Sequence, residues 1–86
     1  MRHVAIVFDG LAKVAELPVA AWESIPEAPA NSPTRLLADL MDGDDVLDTR
    51  RIPEDSAVAL FGRSAAEMEH LAQDLAAARD ASGADW

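Results

Sequence analysis

HVAIVFDGLAKVAELP, residues 3–18, decides how the chain begins to fold. Its first half, HVAIVF, is a short apolar run rich in β-branched residues and closed by Asp9-Gly10, the pattern of a strand followed by a turn. A strand so early in the chain is expected at the centre of a sheet. Beyond the turn, the spacing of Leu11, Val14, Ala15 and Leu17 predicts two turns of helix. Pro18 ends that helix, because the residue before a proline disfavours helical angles. A second strand is then predicted from Val19 to Ile25, with Trp22 as its bulky member.

PEAPANSP, residues 26–33, combines three prolines with turn formers and reads as a surface connection. Ser32-Pro33 is a helix-start signal, since the serine oxygen can cap free amides and proline at the first helical position sacrifices no hydrogen bond. The helix predicted from Pro33 to Met41 buries Leu36, Leu37 and Leu40 and stops at Gly43. Strands are predicted from Val46 to Ile52 and from Ala57 to Phe61, separated by Pro53-Glu54-Asp55. The last element is the clearest. Ser64 and Glu67 form a capping box, and Met68, Leu71, Ala72, Leu75 and Ala78 recur on one helical face until Gly83. The resulting order, β-α-β, α, β-β-α, predicts a single α+β domain over residues 1–86, with 82–86 as a short tail. The expected fold is a small ferredoxin-like antiparallel sheet with helices packed on one face.

Eighty-six residues make one small domain, and 18 of its apolar residues are alanines that each bury little area. A core so thin favours self-association or docking on a partner. Sixteen acidic against seven basic residues give a net charge of −9, which repels phosphate backbones and anionic lipid. Neither nucleic acid nor a membrane is expected as partner. With no cysteine there is no disulfide, thiolate metal site or thiol nucleophile, and with no long apolar run or basic-then-apolar leader the chain is expected in the cytoplasm.

MDGDDVLD, residues 41–48, holds four aspartates but fails as a calcium loop: counted from Asp42, the sixth residue is Leu47 and not glycine, and the twelfth is Pro53 and not glutamate. It reads as an acidic turn between a helix end and a strand. Glu67 and His70 have the Glu-x-x-His spacing of di-iron bundles, but those sites need a second copy, so Glu67, His70 and Asp74 read as a solvated stripe. Asp55-Ser56 is similar to the attachment motif of acyl carrier proteins, except that AVALFG follows it as a predicted strand. No phosphate-binding glycine loop is present, and no base accompanies Ser56 or Ser64. No cofactor, metal or catalytic constellation is expected. His3 and Asp9, placed near one end of the central strand, are candidate binding or acid–base groups; Trp22 and Trp86 are candidate binding residues.

Two stretches resemble the C-terminal lobe of ATP-grasp carboxylate–amine ligases, which activate a carboxylate as an acyl phosphate and join it to an amine. VFDGLAKVAELPVAAWESIP is similar to that lobe's strand, short helix, Leu-Pro and strand. GDDVLDTRRIPEDSAVALFGRSAAEMEHLAQDLAAA is similar to its following Gly-Asp turn, extended segment, strand ending in glycine, and helix opened by Ser-x-x-Glu. The family's nucleotide-binding lysine, glycine-rich loop and magnesium ligands lie upstream of that lobe and have no counterpart here; PEAPANSP and the helix after it would be an insertion. The resemblance implies an accessory lobe that cannot activate a carboxylate alone.

The leading expectation is a non-catalytic accessory or interaction domain that docks on a partner enzyme, such as an ATP-grasp type ligase, or forms a homodimer. A small dimeric ferredoxin-like enzyme or small-molecule binder built around His3 and Asp9 is the alternative. The ending ASGADW supports a third reading, a scaffold or precursor modified at its terminal Trp86.

Overall fold

The computed structural model describes residues 1–81. The first strand, β1 (Arg2–Phe8), is where the sequence places it, and its alternation sends Val4, Ile6 and Phe8 into the core. At its end the Leu11 amide donates to the Phe8 carbonyl at 3.0 Å, and Gly10 has φ +79°, the third-residue sign of a type II turn. The chain therefore reverses at once, and Ala12–Pro18 forms a second strand, β2, antiparallel to β1. This corrects the helix predicted over Leu11 to Leu17. The physical reason is a β-bulge: Ala15 faces Ile6 and Lys13 faces Val7, so Val14 is the extra residue. A bulge breaks strict alternation and leaves Leu11, Val14, Ala15 and Leu17 at intervals that imitate a helical stripe.

The predicted strand from Val19 to Ile25 is instead a 3-10 helix, Val19–Ser24, which follows the extended Pro18 and packs against β1 and β2. Arg50 fastens it. One guanidinium nitrogen donates to the carbonyls of Trp22 at 3.1 Å and Ile25 at 2.8 Å, and the guanidinium carbon lies 4.5 Å from the centre of a Trp22 ring. The proline-rich connection predicted over residues 26–33 is present and runs on to residue 35.

The predicted helix from Pro33 to Met41 is a third strand, β3 (Leu36–Asp42), and β4 (Asp45–Arg51) follows after Gly43-Asp44. Gly43 has φ +62° whereas among the described residues no non-glycine residue, Asp44 included, has positive φ, which is the sign pattern of a type II′ hairpin turn. MDGDDVLD is thus a turn, but between two strands. The predicted strand from Ala57 to Phe61 is also a helix, α1 (Ala57–Phe61), entered through a 3-10 turn at Glu54–Ser56 and closed by Gly62 at φ +73°. The last helix, α2 (Ala65–Ala81), begins as predicted: the Glu67 carboxylate accepts from the Ser64 amide at 2.9 Å, and the Glu67 amide donates to Ser64 Oγ at 3.1 Å.

The result is a small α+β domain with a four-stranded antiparallel sheet in the order β2-β1-β3-β4, two hairpins joined through the β1–β3 pair. One core lies on one face of that sheet. Val4, Ile6 and Phe8 of β1 and Leu36 and Ala38 of β3 meet Ile25, Ile52, Ala57, Met68 and Ala72 there, with Trp22, Leu60 and Phe61 at the margin. Both α-helices and the 3-10 helix at Trp22 contribute to this face. Trp86 and Gly83 lie outside the described residues.

Candidate interaction surface

The register fixes what the other face of the sheet carries, because directly opposed residues in an antiparallel pair project to the same side. From β2 across to β4, one row reads Lys13, Val7, Leu37, Arg51; the next reads Glu16, Ala5, Asp39, Thr49; the third reads Pro18, His3, Met41, Val46. None of these residues belongs to the core cluster or packs against it. The proline-rich connection reaches this layer at the β4 edge, where the Ala28 amide donates to the Arg51 carbonyl at 2.8 Å and the Arg51 guanidinium donates to the Pro29 carbonyl at 3.2 Å.

The two middle strands bring Val7, Ala5, Leu37 and Met41 to this face, with Asp39 among them and His3 at the end of β1, and the other charges, Lys13, Glu16 and Arg51, stand on the edge strands. Val7, Leu37 and Met41 are half-buried, Ala5 is 5% exposed, and Val46 is 55% exposed at the hairpin end. The polar groups are mutually held. Lys13 pairs with Glu16, which by hydrogen bond and charge holds the Glu16 carboxyl below its ordinary range. His3 Nε2 stands 4.0 Å from the same carboxylate, and Thr49 Oγ1 donates to Asp39 at 2.8 Å. Two acids and two bases make this face neutral on a chain of net charge −9.

His3 belongs to this surface, in its third row. Asp9 does not: it sits in the β1–β2 turn, six residues and so about 20 Å away along the strand. The two are at opposite ends of β1, which corrects their predicted placement near one end and removes them as an acid–base pair within one copy. Asp9 instead offers its backbone carbonyl to Arg35 at 3.1 Å, and Arg35 lies over the Phe8 ring and pairs with Glu69. Trp22 is on the core side beneath Arg50, where it serves the fold.

Arg63, Glu67, His70, Leu71 and Asp74 line an open depression of about 380 Å³ along α2. Glu67 is committed to the helix cap, His70 and Asp74 are largely exposed and 3.8 Å apart, and no buried polar group orients a ligand. Among the described residues, no three histidine, aspartate or glutamate side chains converge as a metal ion requires, and no helix is long and apolar enough to cross a membrane.

Lys13, Glu16, Asp39, Met41, Thr49 and Arg51 escaped sequence reasoning because their shared face exists only once the hairpins are paired. The one legible signal was Asp42-Gly43 between apolar runs, which marks a hairpin and thereby sets the β3–β4 register. Compared with protein-family models, with curated proteins and with solved structures, the chain matches none of them.

Proposed function

We propose that this is a non-catalytic interaction domain of the cytoplasm, docking on a partner enzyme or on itself through the face of the sheet opposite the core. The observation that carries the proposal is the composition of that face. Val7, Leu37 and Met41 run along its two middle strands, where an open antiparallel sheet facing water normally carries polar residues. Lys13 with Glu16 on β2 and Arg51 on β4 stand at its edges, and Asp39 stands among the apolar residues of β3 with Thr49 as its partner.

The layer plan, an antiparallel sheet with helices on one face, is what the domain shares with ferredoxin-like proteins; here the first two strands are joined by a hairpin in place of a helix. An ATP-grasp type ligase is the partner class suggested by the sequence resemblance. That resemblance now rests on residues alone, since the segments read as short helix and strand are strand and helix. The test is capture of the tagged chain from its own cells and a mass for the native complex. Met41→Asp, which puts a charge on the docking face and leaves the core untouched, is expected to release the partner while the circular dichroism stays native. A wild-type chain that travels as a strict monomer with nothing bound would refute the proposal.

A further inference from the structure

Resting on that docking face, we infer that its occupant is a second copy of this chain, stacked sheet on sheet about a two-fold axis that sets the Lys13/Arg51 row of each copy against the Glu16/Asp39 row of the other. The charges are segregated by row. Both bases, Lys13 and Arg51, stand in the row of Val7 and Leu37, and both acids, Glu16 and Asp39, stand in the row of Ala5 and Thr49. Neighbouring rows are about 7 Å apart along the strands.

A closed dimer of such faces has its axis in the plane between the two sheets. If the axis runs along the strands, each basic row meets the other copy's basic row, and each acidic row meets an acidic one. If it runs across the strands, midway between the two rows, every basic row meets an acidic row. The charge pattern selects the second arrangement. Lys13 then lies over Glu16 of the second copy, because both are on β2, and Val7 lies over Ala5. Arg51 lies over Thr49 with Asp39 one strand away. The least favourable contact is Leu37 over Asp39, and there the carboxylate already accepts from Thr49 Oγ1.

Self-complementarity under rotation is a property a different partner would not require, and it explains how so acidic a chain can meet itself: the face that closes carries no net charge, while the acids of the hairpin tip, Asp42, Asp44 and Asp45, lie outside its paired rows. Four strands spaced about 4.8 Å and overlapping over about five residues in this register present about 320 Å² per copy. That is below the standard size of a specific interface, so the dimer is weak and expected to dissociate on dilution.

Sedimentation velocity of the full chain, from micromolar to near-millimolar concentration at physiological salt, tests this. The wild type is expected to pass from monomer to dimer. Lys13→Glu and Glu16→Lys each place like charges in opposition twice per dimer, and each is expected to weaken the dimer at least about tenfold. The double variant, Lys13→Glu with Glu16→Lys, restores every opposition and is expected to dimerise like the wild type. Circular dichroism checks that all four proteins fold. Single variants that weaken the dimer without recovery in the double would overturn the row-on-row register. A monomer at every concentration would overturn the second copy as occupant but leave the docking face standing if Met41→Asp still strips a native complex. A dimer indifferent to Lys13 and Glu16 would overturn this inference, and a native complex that survives Met41→Asp as well would overturn the docking face.

Discussion

Replacing Arg50 with methionine keeps the aliphatic stem and removes the guanidinium that fastens the 3-10 helix at Trp22 to the sheet. Two hydrogen bonds to backbone carbonyls disappear, from a nitrogen 3.1 Å from Trp22 O and 2.8 Å from Ile25 O, together with the stacking at 4.5 Å on the indole. Hydrogen bonds from a charged donor contribute about 1.5–3 kcal/mol each when fully effective, and a cation over an aromatic face about 0.5–1 kcal/mol. Arg50 is half-buried, so water replaces part of this. A loss of about 2–3 kcal/mol is expected, and for a domain of this size it lowers Tm by roughly 10–20 °C. Urea and thermal unfolding measure it, with an unchanged m value as the sign that the unfolded state is unaffected. Arg50→Lys keeps the charge and loses the planar fork, and is expected to fall between methionine and wild type. A loss below about 0.5 kcal/mol for Arg50→Met would refute the clamp and mean that burial of Ile25 alone holds the segment.

Met68→Ala empties a fully buried site on α2 and is expected to cost about 2–5 kcal/mol, enough to leave a measurable unfolded population by calorimetry at growth temperature. Gly43→Ala meets no atom within 4 Å but is held at φ +62°, so strain alone is expected to cost about 1–2 kcal/mol in chemical denaturation, with Gly43→Asn milder. Ser64→Ala removes the cap of α2 and is expected to cost about 1 kcal/mol, read from the helical signal at 222 nm on heating. The Ser64 amide and then its hydroxyl hold the Glu67 carboxyl below its ordinary value of 4.5. A depressed folded pKa means stabilisation that is present above the unfolded value and lost as pH falls through the folded one. Stability against acid below pH 4.5 is therefore expected to decline more steeply in the wild type than in Glu67→Gln.

How far the fold can be read from sequence depends on whether a segment's signal is local. The α2 start is legible because the Ser64–Glu67 capping box is made within four residues, and β1 is legible because HVAIVF has few helical uses. The 3-10 helix at Trp22 is not, since Arg50, 28 residues away, holds it. AVALF is short enough to serve either as strand or as helix. What decides it is punctuation on both sides: Pro53-Glu54-Asp55 supplies a helix entry with acids in its first turn, and Gly62 supplies a left-handed exit. The open face of the sheet is the least legible feature, since no two adjacent members of a row are neighbours in the chain.

The helical look of β3 and the apolar residues on the open face of the sheet have one cause. LLADLMD has apolar doublets at Leu36-Leu37 and Leu40-Met41, and doublets four residues apart imitate one face of a helix. As a strand the same residues divide between two sides: Leu36, Ala38 and Leu40 with the core, Leu37, Asp39 and Met41 on the other face. β1 repeats the pattern with Val4, Ile6 and Phe8 against Ala5 and Val7. A strand with one wet face alternates apolar and polar residues, whereas a strand covered on both faces carries apolar runs. Apart from His3 and Asp39, the open side of the two central strands is apolar as well, while the other side is covered by α1, α2 and the 3-10 helix at Trp22. The edge strands agree, since β2 and β4 place Lys13, Glu16, Thr49 and Arg51 on the open side, where a second cover would leave a polar rim. The thinness of the core follows from the same division, because apolar residues assigned to the open face are withheld from the closed one.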